Sequence, residues 1–360
     1  MARFYPLPIL DVRRELSDCV SVAFDLTPEA AAAFPFKAGQ YLTVRTTIDG
    51  EEVRRSYSIC SAPASGELRV AIKQVADGKF STWANTELKK GDVLEVMAPD
   101  GRFTVRHPQK AHKHYLAIAA GSGITPVLSL LTQILQTEPD STCTLIYGNR
   151  TRGSILFRET LEGLKNAFMQ RLRIYHVLSR EAMDVPLFSG RIDGAKAAAF
   201  MERLVPPNTI DEAFICGPEE MILSVRDALA DAGVPEDRIH FELFTATGAA
   251  ALRKKAPSTL TQEAAEAKSR VRITLDGSTT ELELAYGGDS ILDAALKAGA
   301  DLPYACKGGV CATCRARLIE GEVEMELSYG LEKDEIAKGF VLTCQSHPRT
   351  PVVAVDFDQR

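Results

Sequence analysis

The chain has 360 residues, 45% of them hydrophobic and 25% charged, with a formal net charge of −6. That length exceeds one ordinary core and implies two or three domains, while the acidic balance excludes a nucleic-acid backbone as partner. No apolar run approaches the roughly eighteen residues needed to span a bilayer, and the start, Met1-Ala-Arg-Phe-Tyr-Pro-Leu-Pro-Ile-Leu10, lacks a signal-peptide core, so the cytoplasm is the expected location and no membrane partner is expected.

From Phe4 to about Val105, short alternating or apolar runs broken by turn residues predict an antiparallel β-barrel. Its strands are read at Val20–Phe24, Gln40–Arg45, Glu67–Lys73 and Asp92–Met97, with Asp49-Gly50 as a hairpin turn. Within this region lies Arg55-Ser56-Tyr57-Ser58. Alternation along a strand puts Arg55 and Tyr57 on one side, a cation and a ring suited to a phosphate and a flat ligand, although a solvated barrel wall has the same pattern. Gly78-Lys79-Phe80-Ser81-Thr82 then reads as a glycine turn entering a helix, a second place for an anion.

From His114 to Phe244 strand and helix alternate. Strands at Tyr115–Ala120, Cys143–Tyr147, Leu172–Val177, Ala213–Cys216 and Ile239–Leu243 are separated by helices near Val127–Gln136, Leu156–Phe168, Ala195–Leu204 and Glu219–Ala232. Near-continuous apolar strands between helices predict a doubly wound parallel sheet whose ligands bind at the strands' carboxyl ends. Those ends carry Gly121-Ser122-Gly123-Ile124-Thr125-Pro126, with Thr125 read as a helix cap and Pro126 as the first helical residue, then Gly148-Asn149-Arg150, Leu178-Ser179-Arg180 and Cys216-Gly217-Pro218. Cys19 and Cys143 read as core residues.

The stretch 245–269 is Ala-rich, contains Arg253-Lys254-Lys255 and Pro257, and reads as a linker. Beyond it, Val271–Leu275, Asp276-Gly277 and Thr279–Ala285 predict a hairpin, and Ser290–Gly299 a helix capped by its serine and closed by its glycine. From Arg270 to Arg360 there are 10 Lys+Arg against 15 Asp+Glu, so most of the acidity lies here; it can steer a basic partner surface or simply keep the segment solvated. The segment also holds Cys306, Cys311 and Cys314, followed by Cys344. This C-x4-C-x2-C spacing with a distant fourth cysteine is the pattern of a 2Fe–2S cluster. A four-cysteine zinc site and buried free cysteines are the alternatives, but zinc sites usually pair two C-x2-C units. Gly308 and Gly309 permit the sharp turn that would aim amides at the sulfurs.

The order and separation of these motifs resemble the ferredoxin–NADP reductase superfamily, followed by the β-grasp (α+β) fold of plant-type ferredoxins. The resemblance implies a multidomain chain: an FAD-binding β-barrel (1–108), an NAD(P)-binding α/β domain (109–246), a linker (247–269) and a ferredoxin domain (270–360). It implies FAD with Arg55 on the pyrophosphate, Tyr57 against the isoalloxazine, Ser58 near its N5, Ser56 between them, and Gly78, Lys79, Phe80, Ser81 and Thr82 on the pyrophosphate. It also places Gly121, Gly123, Thr125, Pro126 and Arg150 around the pyridine nucleotide, Cys216, Gly217 and Pro218 beside the nicotinamide, and Ser179 with Arg180 at an adenosine 2′-phosphate. A guanidinium and a hydroxyl suit that dianion, which favours NADPH over NADH, with Glu181 adjacent as a counterweight. Tyr57, Ser58 and Cys216 are then the candidate catalytic residues. Phe244 reads either as a partial cover for the flavin or as a core residue.

A nicotinamide yields two electrons as a hydride, an iron–sulfur cluster takes one, and a flavin handles both, so the three parts form one relay. No general base is required, and His107, His112, His114, His176, His240 and His347 read as structural or surface residues. The domain order resembles reductase components of multicomponent oxygenases. The stretches Gly50–Cys60 and Glu324–Ile336 resemble the reductases of phenylacetyl-CoA ring epoxidation in phenylacetate catabolism, whose electrons reach a diiron oxygenase. Reductases of steroid or alkane hydroxylation share the architecture. A stand-alone electron carrier or redox sensor is the alternative of another class, and a zinc-stabilised interaction module is a third.

Overall fold

In the computed structural model, which describes residues 3–105, 112–244 and 267–359, the alternating runs near the start of the chain pair into a six-stranded antiparallel sheet. Its strands are β1 (Phe4–Leu16), β2 (Cys19–Phe24), β3 (Tyr41–Ile48), β4 (Glu51–Ser58), β5 (Leu68–Lys73) and β6 (Val93–Met97), in the order β4-β3-β6-β1-β2-β5. An antiparallel bridge between Ile59 and Val70 joins the two edges and closes the barrel. Inward residues such as Leu7, Val22, Leu42, Val70, Ile72 and Val96 fill it. The Asp49-Gly50 turn, with both residues at positive φ, carries the β3–β4 hairpin as its sequence predicts. β1 lies outside the predicted strands: Pro6 and Pro8 remove ladder donors and two register shifts bend it. A short α1 (Pro28–Ala31), capped by Thr27, and α2 (Lys79–Thr86) lie between strands.

The second sheet contains β7 (His114–Ala120), β8 (Thr142–Asn149), β9 (Leu172–Leu178), β10 (Glu212–Gly217) and β11 (Ile239–Leu243), in the order β11-β10-β7-β8-β9. Pairing of β7 with β8 and β10, and of β8 with β9, is parallel. The helices are α3 (Ile124–Thr137), α4 (Arg158–Ala167), α5 (Gly194–Arg203) and α6 (Glu219–Asp231). Strand order reverses between β7 and β10, and the crevice at their carboxyl ends is where a doubly wound sheet binds ligand. Thr125 is not the cap of α3. A 3₁₀ turn over Gly121–Gly123 runs directly into the helix, Gly123 takes the cap position, and the Thr125 hydroxyl donates instead to Ser122 O at 3.0 Å. Pro126 is therefore the third helical residue rather than the first.

The third sheet stands in a separate compact unit, Met1–Arg3 with Leu243–Arg360, the other unit being Phe4–Glu242. It orders β13 (Ser278–Ala285), β12 (Lys268–Leu275), β18 (Val352–Asp356), β14 (Arg315–Glu320) and β16 (Phe340–Leu342), with β12 and β18 parallel. β15 (Val323–Met325) and β17 (Ser346–Pro348) form a small second ladder. α7 (Ile291–Lys297) is capped by Ser290 as expected, and Ile291, Leu292 and Ala295 face the core; α8 (Lys333–Ala337) precedes β16. β12 begins at Lys268, inside the expected linker; the rest of that linker, 247–266, lies outside the described residues.

Candidate functional site

The crevice between β7 and β10 is shaped by missing side chains. A Cβ on Gly123 would stand 2.1 Å from Cys216 O, and one on Gly217 would stand 2.6 Å from Met221 Cε and 3.2 Å from Ala120 Cβ. The two glycine turns therefore approach more closely than any other residue allows. Tyr147, buried under them, donates its hydroxyl to Gly121 O at 2.9 Å. At the end of β8, Asn149 is buried, and its side chain lies against the Tyr147 hydroxyl, whose ionised form it favours. Ser179 N and Arg180 N bond to Asn149 O (2.9 Å) and Arg150 O (2.8 Å), which aligns the ends of β8 and β9 and leaves the Arg150 and Arg180 residues exposed. Glu181 is turned back: its carboxylate accepts the Arg152 amide at 3.0 Å and lies 3.9 Å from the Arg152 guanidinium.

On the barrel, β4 presents Arg55 and Tyr57 together, close enough for the cation to favour the phenolate while burial pushes the Tyr57 hydroxyl up more strongly. Tyr57 packs on Phe80 of α2 with ring centroids 5.6 Å apart, and Phe80 in turn packs on Trp83. This ladder of rings brings the two predicted motifs side by side. Gly78 caps α2 without a side-chain hydrogen bond, so first-turn amides remain for an anion. The side chains of that segment are otherwise engaged. Ser81 donates to Gly78 O and accepts from Val75 N, Phe80 is core, and Lys79 pairs with Glu51 at 2.8 Å and Asp49 at 3.6 Å. An open cleft of about 500 Å³ runs between the β3–β4 turn and α2, lined by Asp77, Gly78, Lys79, Thr82 and Trp83 among others.

Barrel and sheet meet at a polar cluster that local sequence patterns do not reveal. Ser58, buried, donates to Glu242 Oε2 at 2.9 Å. Burial raises the Glu242 carboxyl to about 7 against the partial compensation of that bond. Cys216 is fully buried, and its thiol is held well above its ordinary value by desolvation and by the nearby Glu242. A lone acid in Phe241-Glu242-Leu243-Phe244, near the carboxyl end of β11, is the signal that could have marked it.

In the other unit the cysteines stand in two pairs, Cys306 beside Cys311 and Cys314 beside Cys344. Within each pair one thiol is favoured to ionise. The Cys311 hydrogen bond, aided by the Gly308 amide, lowers Cys306 to about 6, and Cys314 lowers Cys344, whereas Cys311 and Cys314 are pushed well up. Among the described residues no three His, Cys, Asp or Glu side chains converge as one ion would require. Two thiol pairs fit two irons, each completed by bridging sulfide, so the donor set suits a 2Fe–2S cluster. Gly308 N donates to Cys306 Sγ at 3.3 Å. The sharp turns fall at Lys307, Gly309 and Ala312, all at positive φ, rather than at Gly308. Lys307 is held there by Asp293 (2.8 Å) and by the Tyr304 ring, 4.8 Å from its ammonium. In this unit many acids are already paired, Glu320 with Arg272, Glu324 with Arg349, Glu335 with Arg315 and Asp334 with Lys338. No described helix is long and apolar enough to cross a membrane.

Comparison with known proteins agrees with this geometry. Family models match as an oxidoreductase FAD-binding domain over 8–105, an oxidoreductase NAD-binding domain over 117–227 and a 2Fe-2S iron-sulfur cluster binding domain over 273–349. The chain is 44% identical over 360 residues, 100% of its length and 99% of the relative's, to one of the component chains of 1,2-phenylacetyl-CoA epoxidase from Escherichia coli. It is 32% identical over 353 residues, 98% of its length and 96% of the relative's, to the ferredoxin reductase component of 3-ketosteroid-9-alpha-monooxygenase of Rhodococcus rhodochrous. Phthalate dioxygenase reductase has the same fold, with a TM-score of 0.58 at 24% identity, covering 98% of both chains. The chain belongs to the family of oxygenase reductase components that join an FAD-binding barrel, an NAD-binding sheet and a C-terminal 2Fe–2S domain.

Proposed function

We propose that this reductase draws electrons from NADPH and delivers them to the diiron oxygenase of a phenylacetyl-CoA epoxidase, in the cytoplasm. Full-length identity of 44% to a component of that enzyme is the observation that supports the partner. When bound, FAD accepts a two-electron hydride and releases single electrons, and the 2Fe–2S cluster carries one at a time.

The chain's own residues bind, orient and shield. Arg55 and the first-turn amides of α2 hold the flavin's phosphates, and Tyr57, fixed by Phe80, gives its ring a flat wall. Ser58, whose hydroxyl is directed by Glu242, is assigned to a hydrogen bond with the flavin ring, and Cys216, at the end of β10, to the neighbourhood of the nicotinamide. Gly121, at positive φ with nothing near its missing side chain, leaves backbone open to the dinucleotide, while Gly123 and Gly217 let the turns around it pack closely. Ser179 and the exposed Arg180 are assigned to the 2′-phosphate, an assignment supported by Glu181 being tied to Arg152 rather than directed at a ribose. Cys306, Cys311, Cys314 and Cys344 are assigned as cluster ligands because they stand in two pairs. The test is reconstitution: the purified chain, a diiron epoxidase component and phenylacetyl-CoA should yield epoxide with NADPH. Vigorous reduction of cytochrome c with no epoxide, together with turnover in a steroid or alkane hydroxylase system, would reassign the partner.

A further inference from the structure

Gln345, next to the fourth cysteine, has no exposed surface. Its Nε2 donates to Lys307 O at 3.1 Å, to Cys344 O at 2.9 Å and to Cys344 Sγ at 3.5 Å, so that one of its two hydrogens is shared between two acceptors. Its Oε1 is buried with no partner. A buried acceptor left unpaired is destabilising, so this amide is poor as a pure space-filler. Two carbonyls fix its orientation, because only the nitrogen can face them. Gly309, at positive φ, makes room: a Cβ there would stand 3.0 Å from Gln345 Cγ. The backbone on the far side is anchored as well, Gln345 N donating to Leu342 O at 2.9 Å and Gln345 O accepting from Glu326 N at 3.0 Å.

We infer that Gln345 is a positioning residue for the cluster, tying the ligand loop to Cys344 and donating a side-chain N–H to the Cys344 sulfur so as to raise the cluster's reduction potential. An N–H directed at a ligand sulfur stabilises the more negative, reduced state of an iron–sulfur centre. The carbonyl of Lys307 lies between Cys306 and Gly308, so the same amide links the two thiol pairs. Oε1 is the cost of presenting the nitrogen. The inference rests on the reading of the four cysteines as cluster ligands.

The test compares the full chain carrying Gln345→Met, similar in length but without the donor, with wild type and Cys311→Ser. Iron and acid-labile sulfide are assayed first, then the midpoint potential is taken by dye-mediated titration followed by electron paramagnetic resonance. Gln345→Met should keep its cluster content and show about a tenfold lower ratio of reduced to oxidised cluster at fixed ambient potential, about 59 mV for one electron. An unchanged potential in a fully loaded Gln345→Met protein overturns the inference. Should Gln345→Met load poorly, wild type labelled with nitrogen-15 glutamine decides: a nitrogen-15 coupling to the reduced cluster supports the contact, and its absence refutes it. Full iron and sulfide in Cys311→Ser would instead refute the ligand assignment, separating that failure from this one.

Discussion

The cysteine loop and the nucleotide crevice are built in opposite ways. Three of the four thiols lie within Cys306–Cys314, and the loop's function depends on side-chain identity at fixed spacing. The crevice gathers the ends of β7, β8, β9 and β10 from distant parts of the chain, and its closest approach is a missing side chain against a carbonyl, Gly123 against Cys216 O. One site fails when a specific atom is lost. The other fails when an atom is added. Mutational profiles should divide along that line.

The steepest effect is expected in the loop. Cys311→Ser should lower NADPH-driven reduction of cytochrome c by on the order of 100-fold, while reduction of a two-electron dye stays within about twofold of wild type. Equal loss of both activities would mean that the two sites are not separable. In the crevice, Gly123→Val should destabilise the protein by about 1–3 kcal/mol through overpacking and raise the KM for the nucleotide. Gly153→Ala, with nothing within 4 Å of its Cβ, serves as the neutral control. Urea midpoints and steady-state kinetics on the pair check this, and equal behaviour would break the contrast. At the crevice's rim, where a side chain does matter, Arg180→Ala should raise the KM for NADPH about tenfold, consistent with one lost charge-assisted contact, and leave NADH unaffected. An unchanged ratio of the two KM values would move the 2′-phosphate elsewhere.

The smallest effect belongs to Glu242, where the two modes meet. Its carboxyl is raised to about 7 in the folded protein, so the folded state binds a proton that the unfolded chain has already released above its ordinary value of 4.5. Stability should therefore fall as pH rises between these values and level off above them. Glu242→Gln should flatten that slope. Urea midpoints across the window give the reading, and an identical slope in the variant would show that Glu242 is not its source.

What the sequence discloses follows the same division. Strand and helix periodicity locates every element of the second sheet to within a few residues, and cysteine spacing alone indicates a two-iron site, because both signals are local. Strand β1 is obscured by Pro6 and Pro8. The cap of α3 differs from expectation because a 3₁₀ turn replaces the side-chain cap, and a hydroxyl at Thr125 looks the same in sequence whichever carbonyl it meets. Glu242 and Gln345 escape the sequence for another reason. Each acts on a residue brought near by folding, Ser58 in one case and Lys307 in the other, and no local pattern encodes such a meeting.

The ion pairs of Lys79 with Glu51 and Asp49 tie the β3–β4 hairpin tip to the start of α2 beside the cleft, and both acids are largely exposed. Attraction between such groups weakens as salt rises, since the screening length shrinks to about 3 Å at 1 M. The strength with which the hairpin tip is tied to the start of α2 thus depends on the medium. Brine loosens this local link, and dilute buffer tightens it.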